Sequence, residues 1–209
     1  MITIQCFPCG PLDANCYIVG NDSDRKGFMV DPGGSDEAME RYLAEQQFEM
    51  EYIILTHGHA DHIGGVAHYK KLFPHVRVVA GAAEKELLRD ARKNFSKAFC
   101  REEVSLETDL SVKDGDTLTA GSIVLRFIET PGHTKGGLSI YVPEAKAVFS
   151  GDTLFAQSIG RTDFPGGSAE ELTASIREKL YKLPDDTAVY PGHMGKTTIQ
   201  IEKEYNPFV

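Results

Sequence analysis

The stretch Thr56-His57-Gly58-His59-Ala60-Asp61-His62 puts four side chains able to bind a metal ion into six consecutive positions. It follows the apolar run Tyr52–Leu55 and precedes Gly64-Gly65, so the four groups fall on a turn and can point into one space. Imidazole nitrogens and carboxylate oxygens suit Zn²⁺ and related first-row ions. A polar turn whose histidines only cap the following helix would not need four such groups together.

Three later segments repeat one design. Ile123–Glu129 runs into Thr130-Pro131-Gly132-His133, Ala147–Phe149 into Ser150-Gly151-Asp152, and Ala188–Tyr190 into Pro191-Gly192-His193. Each is an apolar run, then a glycine that lets backbone approach closely, then a ligand-type residue. Strand ends of one sheet lie along one edge, so these three residues can converge on the 57–62 turn. Five His and two Asp, with one carboxylate shared, give two divalent ions eight protein bonds, and a bridging hydroxide completes five contacts each. Asp61, Asp152 and the hydroxide leave such a centre at about +1, enough to polarise a carbonyl and hold an anion. Metal binding lowers the pKa of water from 15.7 to about 7, which supplies a nucleophile at neutral pH. No G-x-S-x-G is present, and the reaction class that follows is metal-assisted hydrolysis.

Positioning such a site needs alternating strands and helices, and the sequence provides them. Short Val/Ile/Phe/Tyr-rich runs bounded by Gly, Pro, Asp or Asn predict strands. Besides the four already named they are Ile2–Phe7, Asn15–Val19, Gly27–Val30, Arg77–Val79 and Gly137–Val142. Helices are predicted over Ser35–Gln47, Gly64–Leu72, Ala82–Arg92, Ala169–Lys182 and Lys196–Glu204. In the fourth, Ser168 and Glu171 form a capping box, Leu172, Ile176, Leu180 and Leu183 make an apolar stripe, and Pro184 stops the helix. No linker or low-complexity tract divides the chain, so residues 1–209 read as a single domain.

Composition narrows the partners. The 209 residues are 41% hydrophobic and 25% charged, with 22 Lys+Arg against 31 Asp+Glu, a net charge of -9. A surface of that sign disfavours nucleic acid and anionic membrane. No run approaches the roughly 18 continuous apolar residues of a membrane span. Met1-Ile2-Thr3-Ile4-Gln5 lacks a signal-peptide pattern, and the four cysteines are too sparse for a disulfide scaffold, so a cytoplasmic protein is expected.

The same segments, with Asn15-Cys16-Tyr17-Ile18-Val19 and Asp31-Pro32-Gly33, resemble the metallo-β-lactamase superfamily over nearly the whole chain, and within it the glyoxalase II-like (hydroxyacylglutathione hydrolase-like) branch. The resemblance implies an α+β fold, an αβ/βα four-layer sandwich of two mixed β-sheets with helices on the outer faces. It implies that His57, His59 and His133 hold one metal, that Asp61, His62 and His193 hold a second, and that Asp152 bridges. Two divalent ions per chain are implied, zinc first, with iron or manganese as alternatives. The implied reaction is hydrolysis of a small-molecule thioester of the S-lactoylglutathione kind by a bridging hydroxide that Asp61 orients. Typical glyoxalase II enzymes carry a helical C-terminal extension that grips glutathione, and this chain ends 16 residues after His193 (209 - 193). The family's glutathione-contacting Lys-x-Tyr falls on Arg161-Thr162-Asp163. Gly160-Arg161-Thr162-Asp163-Phe164 also resembles the iron-dependent persulfide dioxygenases of this superfamily, which implies an alternative: a mononuclear iron site of His57, His133 and Asp152. Penicillin hydrolysis ranks lower, because β-lactamases of the superfamily usually lack a bridging Asp at the Asp152 position.

Smaller signals complete the expectations. Cys6-Phe7-Pro8-Cys9 reads as incidental, and His68 and His75 as surface residues. Asp31-Pro32-Gly33 reads as a structural turn, in a loop that the family resemblance places near the metals. Arg161 either meets a substrate anion or makes a loop salt bridge, while Phe155 and Phe164, which flank it, could wall a pocket but read first as apolar loop anchors.

Overall fold

Strand β2 (Ala14–Asn21) carries the plan of the molecule, because all of it is buried and successive side chains point to opposite faces. Tyr17 and Val19 enter one apolar cluster, Cys16 and Ile18 another. A sheet apolar on both faces must be covered on both. A computed structural model, describing residues 1–100 and 102–209, shows how.

The first sheet holds β1 (Ile2–Cys9), β2, β3 (Lys26–Val30), β4 (Glu49–Ile54), β5 (Arg77–Gly81) and β6 (Leu110–Val112), ordered in space as in sequence. β1 to β3 are antiparallel, β3 to β6 parallel. The second contains β7 (Thr117–Ala120), β8 (Ile123–Glu129), β9 (Leu138–Val142), β10 (Ala147–Gly151), β13 (Ala188–Pro191) and β14 (Thr197–Thr198), in the order β14-β13-β10-β9-β8-β7. Only β10 and β13 pair in parallel. A small hairpin of β11 (Leu154–Phe155) and β12 (Ser158–Ile159) leaves the end of β10.

Between the sheets, Val19, Phe28, Ile54 and Val79 of the first pack with Leu125, Phe127, Ile140 and Phe149 of the second. The outer face of the first, with Ile18, Met29, Ile53 and Val78, is covered by α1 (Glu37–Gln46), α2 (Ala60–Ile63), α3 (Val66–Leu72) and α4 (Lys85–Arg89) through Met39, Leu43, Ile63, Val66, Tyr69 and Leu88. A further short helix, α5 (Ser96–Phe99), follows. The outer face of the second sheet, with Val148 and Val189, is covered by α6 (Ala169–Ala174) and α7 (Ile199–Tyr205) through Leu172 and Ile199. This is the expected four-layer α+β sandwich. Among the described residues no helix is long and apolar enough to cross a membrane.

All nine predicted strands form, and the helices form with shifted ends that have local causes. Asp36, whose side chain accepts the Met39 N–H at 2.8 Å, starts α1 rather than Ser35. The helix predicted to Arg92 stops at Arg89, because Asp90 leaves helical geometry and its carboxylate accepts the Arg92 N–H at 2.9 Å. Ser168 caps α6 as expected. Beyond Ala174 the helix widens to π geometry over Ser175–Lys179 and tightens to 3-10 over Leu180–Lys182, with Leu172, Ile176 and Leu180 still facing the core. Thr197-Thr198 pair with β13, so α7 begins at Ile199 rather than Lys196.

Candidate metal centre

Sheet topology brings the four ligand-bearing segments to one edge. β8 is antiparallel to β9 and β9 to β10, while β10 and β13 are parallel, so β8, β10 and β13 all end on the same side. The first sheet meets that edge at the end of β4, where the Leu138 N–H donates to the Thr56 carbonyl at 2.8 Å. The Gly192 N–H donates to the Gly151 carbonyl at 2.8 Å, which fixes the two turns carrying Asp152 and His193 against each other. The 57–62 stretch is not one turn: Asp61 and His62 lie on α2, with His59 just before it.

All seven predicted residues meet there. His57, His59 and His133 form one group whose candidate ligand atoms lie within 4.8 Å of one another, and Asp61, His62 and His193 form a second. His59 Nδ1 and His133 Nε2 are 2.9 Å apart, and His193 Nε2 is 3.2 Å from Asp61 Oδ2. Asp152 lies between the groups. Its Oδ1 is 3.5 Å from His62 Nε2, and its Oδ2 is 3.7 Å from both His133 Nε2 and His193 Nε2.

Three rings are held from behind. His57 Nδ1 lies 3.0 Å from Thr56 Oγ1, His62 Nδ1 2.9 Å from Asp31 Oδ2, and His133 Nδ1 2.8 Å from the Arg161 carbonyl. Each bond turns the ring's Nε2 toward the centre. Among the described residues, buried His57 Nε2, His62 Nε2 and Asp152 Oδ1 have no hydrogen-bond partner. Buried polar atoms are rarely left so, and three of them within one cluster of His and Asp side chains fit cations as the missing partner.

The electrostatics agree. Burial holds His57 well below its ordinary pKa, helped by the neighbouring imidazoles, and brings His59 down to about 3. Burial also lowers His133, against the opposing pull of Asp152. These rings are therefore neutral, the form that binds metal. Burial acts on His62 in the same direction, but Asp152, Asp61 and Asp31 together outweigh it and raise this ring to about 10. Burial pushes Asp61 up, and His62 and His193 overcome it, holding the carboxyl well below its usual range. Without metal, a proton on His62 offsets part of the carboxylate charge.

Two positioning residues exceed or escape the sequence reading. Asp31 is more than a turn former: it is 1% exposed at φ +49° and accepts from Thr56 N (2.7 Å), Thr56 Oγ1 (2.5 Å) and His62 Nδ1 (2.9 Å). Its place directly after a strand, before Pro-Gly, was the available signal, with the resemblance that puts this loop near the metals. Glu84 carries no sequence signal. Buried beside the site, it accepts the Gly58 N–H at 3.0 Å and the Gly136 N–H at 2.8 Å, tying the two histidine-bearing loops together. Burial raises its pKa. The glycine expectation holds sharply at Gly192, where a Cβ would sit 2.2 Å from Asp152 Oδ1 and 2.7 Å from His62 Cε1.

A cavity of about 410 Å³ opens over the cluster, floored by His59, Asp61, His133, Asp152 and His193. Phe155 and Phe164 line it, the wall role that the sequence had ranked second to loop anchor. Arg161 lines it too and also makes the loop salt bridge, with Nε and Nη2 each 2.7 Å from an Asp163 carboxylate oxygen. A wider hollow of about 800 Å³ beside α4 contains none of the seven residues. His68 and His75 lie away from the centre; His68 pairs with Glu40 at 2.9 Å, and His75 is exposed. The four cysteines are free thiols.

A model of the family described as the metallo-beta-lactamase superfamily matches residues 9–193, and the chain belongs to that superfamily. It is 38% identical to a probable metallo-hydrolase, YqgX, of Bacillus subtilis, over 97% of this chain and 95% of the relative. It is 32% identical to hydroxyacylglutathione hydrolase GloC of Haemophilus influenzae, over 100% of this chain and 98% of the relative. Among solved structures it is similar to the BLEG-1 B3 metallo-beta-lactamase, with TM-score 0.91, 37% identity and 99% of both chains covered. It is also similar to TTHA1623 in a di-iron-bound form, with TM-score 0.86, 30% identity and 98% and 100% coverage. ETHE1 from Myxococcus xanthus matches with TM-score 0.78 and 29% identity, covering 98% of this chain and 83% of that one. The histidine and aspartate clusters are compatible with the dimetal sites of this superfamily, whose members are usually hydrolases.

Proposed function

We propose that this chain is a metal-dependent thioester hydrolase acting on small 2-hydroxyacyl thioesters of the S-lactoylglutathione kind. The observation that carries the reading is the cluster of seven His and Asp side chains with three orphaned atoms aimed inward, under a cavity of substrate size. The full-length likeness to hydroxyacylglutathione hydrolase GloC supports the substrate class.

His57, His59 and His133 would hold one ion and Asp61, His62 and His193 the other, with Asp152 shared. When bound, two divalent ions, zinc before iron or manganese, supply Lewis acidity toward a carbonyl and acidify water to near neutral pH. Asp61, ionised and open to the cavity, accepts a hydrogen bond from the attacking water and sets its direction. Thr56, Asp31 and the Arg161 carbonyl fix three imidazoles before substrate arrives, so no reorganisation is needed during reaction. The aromatic walls exclude bulk water from the scissile bond.

The test is elemental analysis of purified protein beside a panel of thioesters that includes S-D-lactoylglutathione. Two metals per chain with chelator-sensitive hydrolysis are expected. Metal-loaded protein that cleaves no thioester refutes the reading. One iron per chain with oxygen uptake on glutathione persulfide replaces it with the mononuclear dioxygenase. The likeness to the BLEG-1 metallo-beta-lactamase supports a second reading, β-lactam hydrolysis at the same centre, which a nitrocefin assay decides.

A further inference from the structure

Above the metal cluster the cavity changes character. Its upper wall and mouth are Leu12, Phe95, Phe99, Phe155, Ile159 and Phe164. Phe95 and Phe164 are in ring contact at 4.7 Å between centroids, and each lies 5.5 Å from the His59 ring. Phe155 approaches the His193 ring at 6.3 Å between centroids. At the mouth, Leu12 and Phe99 are 53% and 55% exposed, apolar surface that water meets only while nothing covers it.

Among the described residues lining this cavity, Arg161 is the one Lys or Arg, and it is already engaged. Asp163 holds it through two parallel 2.7 Å bonds, and its guanidinium lies 3.9 Å above the Phe164 ring. Both side chains of the ion pair are more than half exposed, so the pairing matches the charge of Arg161 at the cavity rim without burying it. Glutathione carries two carboxylates and one ammonium, and along the aromatic upper wall the described lining residues offer these charges no Lys or Arg partner apart from Arg161.

We infer that the cavity recognises the arms of its thioester by apolar and aromatic contact rather than by charge, so that neutral thioesters with an aryl or alkyl arm are preferred over glutathione thioesters. This inference rests on the proposed thioester hydrolysis, keeps its acyl side and departs from it in the thiol arm, where glutathione is no longer the preferred group; it concerns binding alone. The Arg161–Asp163 pair leaves the one described Lys or Arg of the lining already matched to a carboxylate, and the Phe95, Phe155 and Phe164 rings take the apolar arm.

Binding of non-hydrolysable thioethers separates the two ideas, because it does not need turnover. Metal-loaded protein is titrated calorimetrically with S-methylglutathione and with the neutral benzyl thioether of N-acetylcysteamine. The neutral ligand is expected to bind at least tenfold more tightly. Phe164→Ala is expected to narrow that ratio at least fivefold by removing the stacking face. Asp163→Asn is expected to raise S-methylglutathione affinity at least threefold by releasing Arg161. A ratio below tenfold, or a ratio unmoved by either substitution, overturns recognition by apolar contact. Absence of thioester hydrolysis with binding intact counts instead against the proposed reaction.

Discussion

Adding one methyl group at Gly192 should dismantle half of the centre. An alanine Cβ there would lie 2.2 Å from Asp152 Oδ1, 2.7 Å from His62 Cε1 and 3.1 Å from the Gly151 carbonyl carbon. Contacts of about 3.5 Å are the closest comfortable ones for such atoms, so the Asp152 carboxylate must retreat by roughly an ångström. Its neighbours cannot follow. His62 is fully buried and held by Asp31, and Gly192 itself is bonded to Gly151. Overpacking of this kind costs about 1–3 kcal/mol, and an ångström of misplacement at a reacting centre costs about 10²-fold in rate. Gly195→Ala is the matched control, because a Cβ at Gly195 has nothing within 4 Å. Metal content by elemental analysis, urea midpoints and thioester kcat/KM are measured for both. Gly192→Ala is expected to bind fewer than two metals and lose about a hundredfold in kcat/KM, with Gly195→Ala unchanged. Two metals and full activity in Gly192→Ala would refute the assignment of Asp152 as the shared ligand.

Other outcomes follow from the same geometry. Asp31→Asn keeps the volume but sets an amide N–H against one of three buried donors, so chelator competition should show about 10–100-fold weaker metal binding. Equal affinities would remove Asp31 from the site's support. Glu84→Ala strands the buried Gly58 and Gly136 N–H groups at about 1–3 kcal/mol each in urea unfolding, and Glu84→Gln, which keeps one acceptor, should fall between it and the parent. For the metal-free chain, His59 has its folded pKa at about 3, below the unfolded 6.5, so its contribution is present above pH 6.5 and is lost as pH falls toward 3. His62, raised to about 10, gives the reverse: its contribution is present below pH 6.5 and is lost as pH rises toward 10. The cluster's contribution to stability therefore peaks near pH 6.5 without metal, and urea midpoints at pH 4.5, 6.5 and 9 should show it. At pH 8, metal uptake should expel one proton from His62, read calorimetrically in two buffers of different ionisation enthalpy.

The seven clustered residues were legible because each directly follows a strand or sits in the dense 57–62 motif, where short-range spacing carries the information. Strand existence was legible for the same reason: β2 or β8 advertises itself by local composition. Contacts across long separations were not. Glu84 works through Gly58 and Gly136, 26 and 52 positions away, and nothing around Ala83-Glu84-Lys85 betrays it. Leu110–Val112, Thr117–Ala120 and Thr197–Thr198 escaped because short strands at sheet margins owe their form to a neighbour, not to their own pattern. Phe155 and Phe164 were identified as apolar and close to the site, but whether such rings fill a loop or face a cavity depends on which way the backbone turns. The widened turn at Ser175–Lys179 leaves the Leu172, Ile176 and Leu180 stripe intact, so the pattern could not reveal it.

The division of the cluster between the two layers has a mechanical meaning. His57, His59, Asp61 and His62 descend from the N-terminal layer, and His133, Asp152 and His193 from the C-terminal one. Cations held as proposed would each be gripped from both sides, like rivets through the open seam of a clamshell. Stripping them with a chelator should let that rim gape while the opposite rim stays shut, with faster amide exchange confined to the rivet side. Supply of cations during synthesis would then govern how much of the chain reaches its closed form.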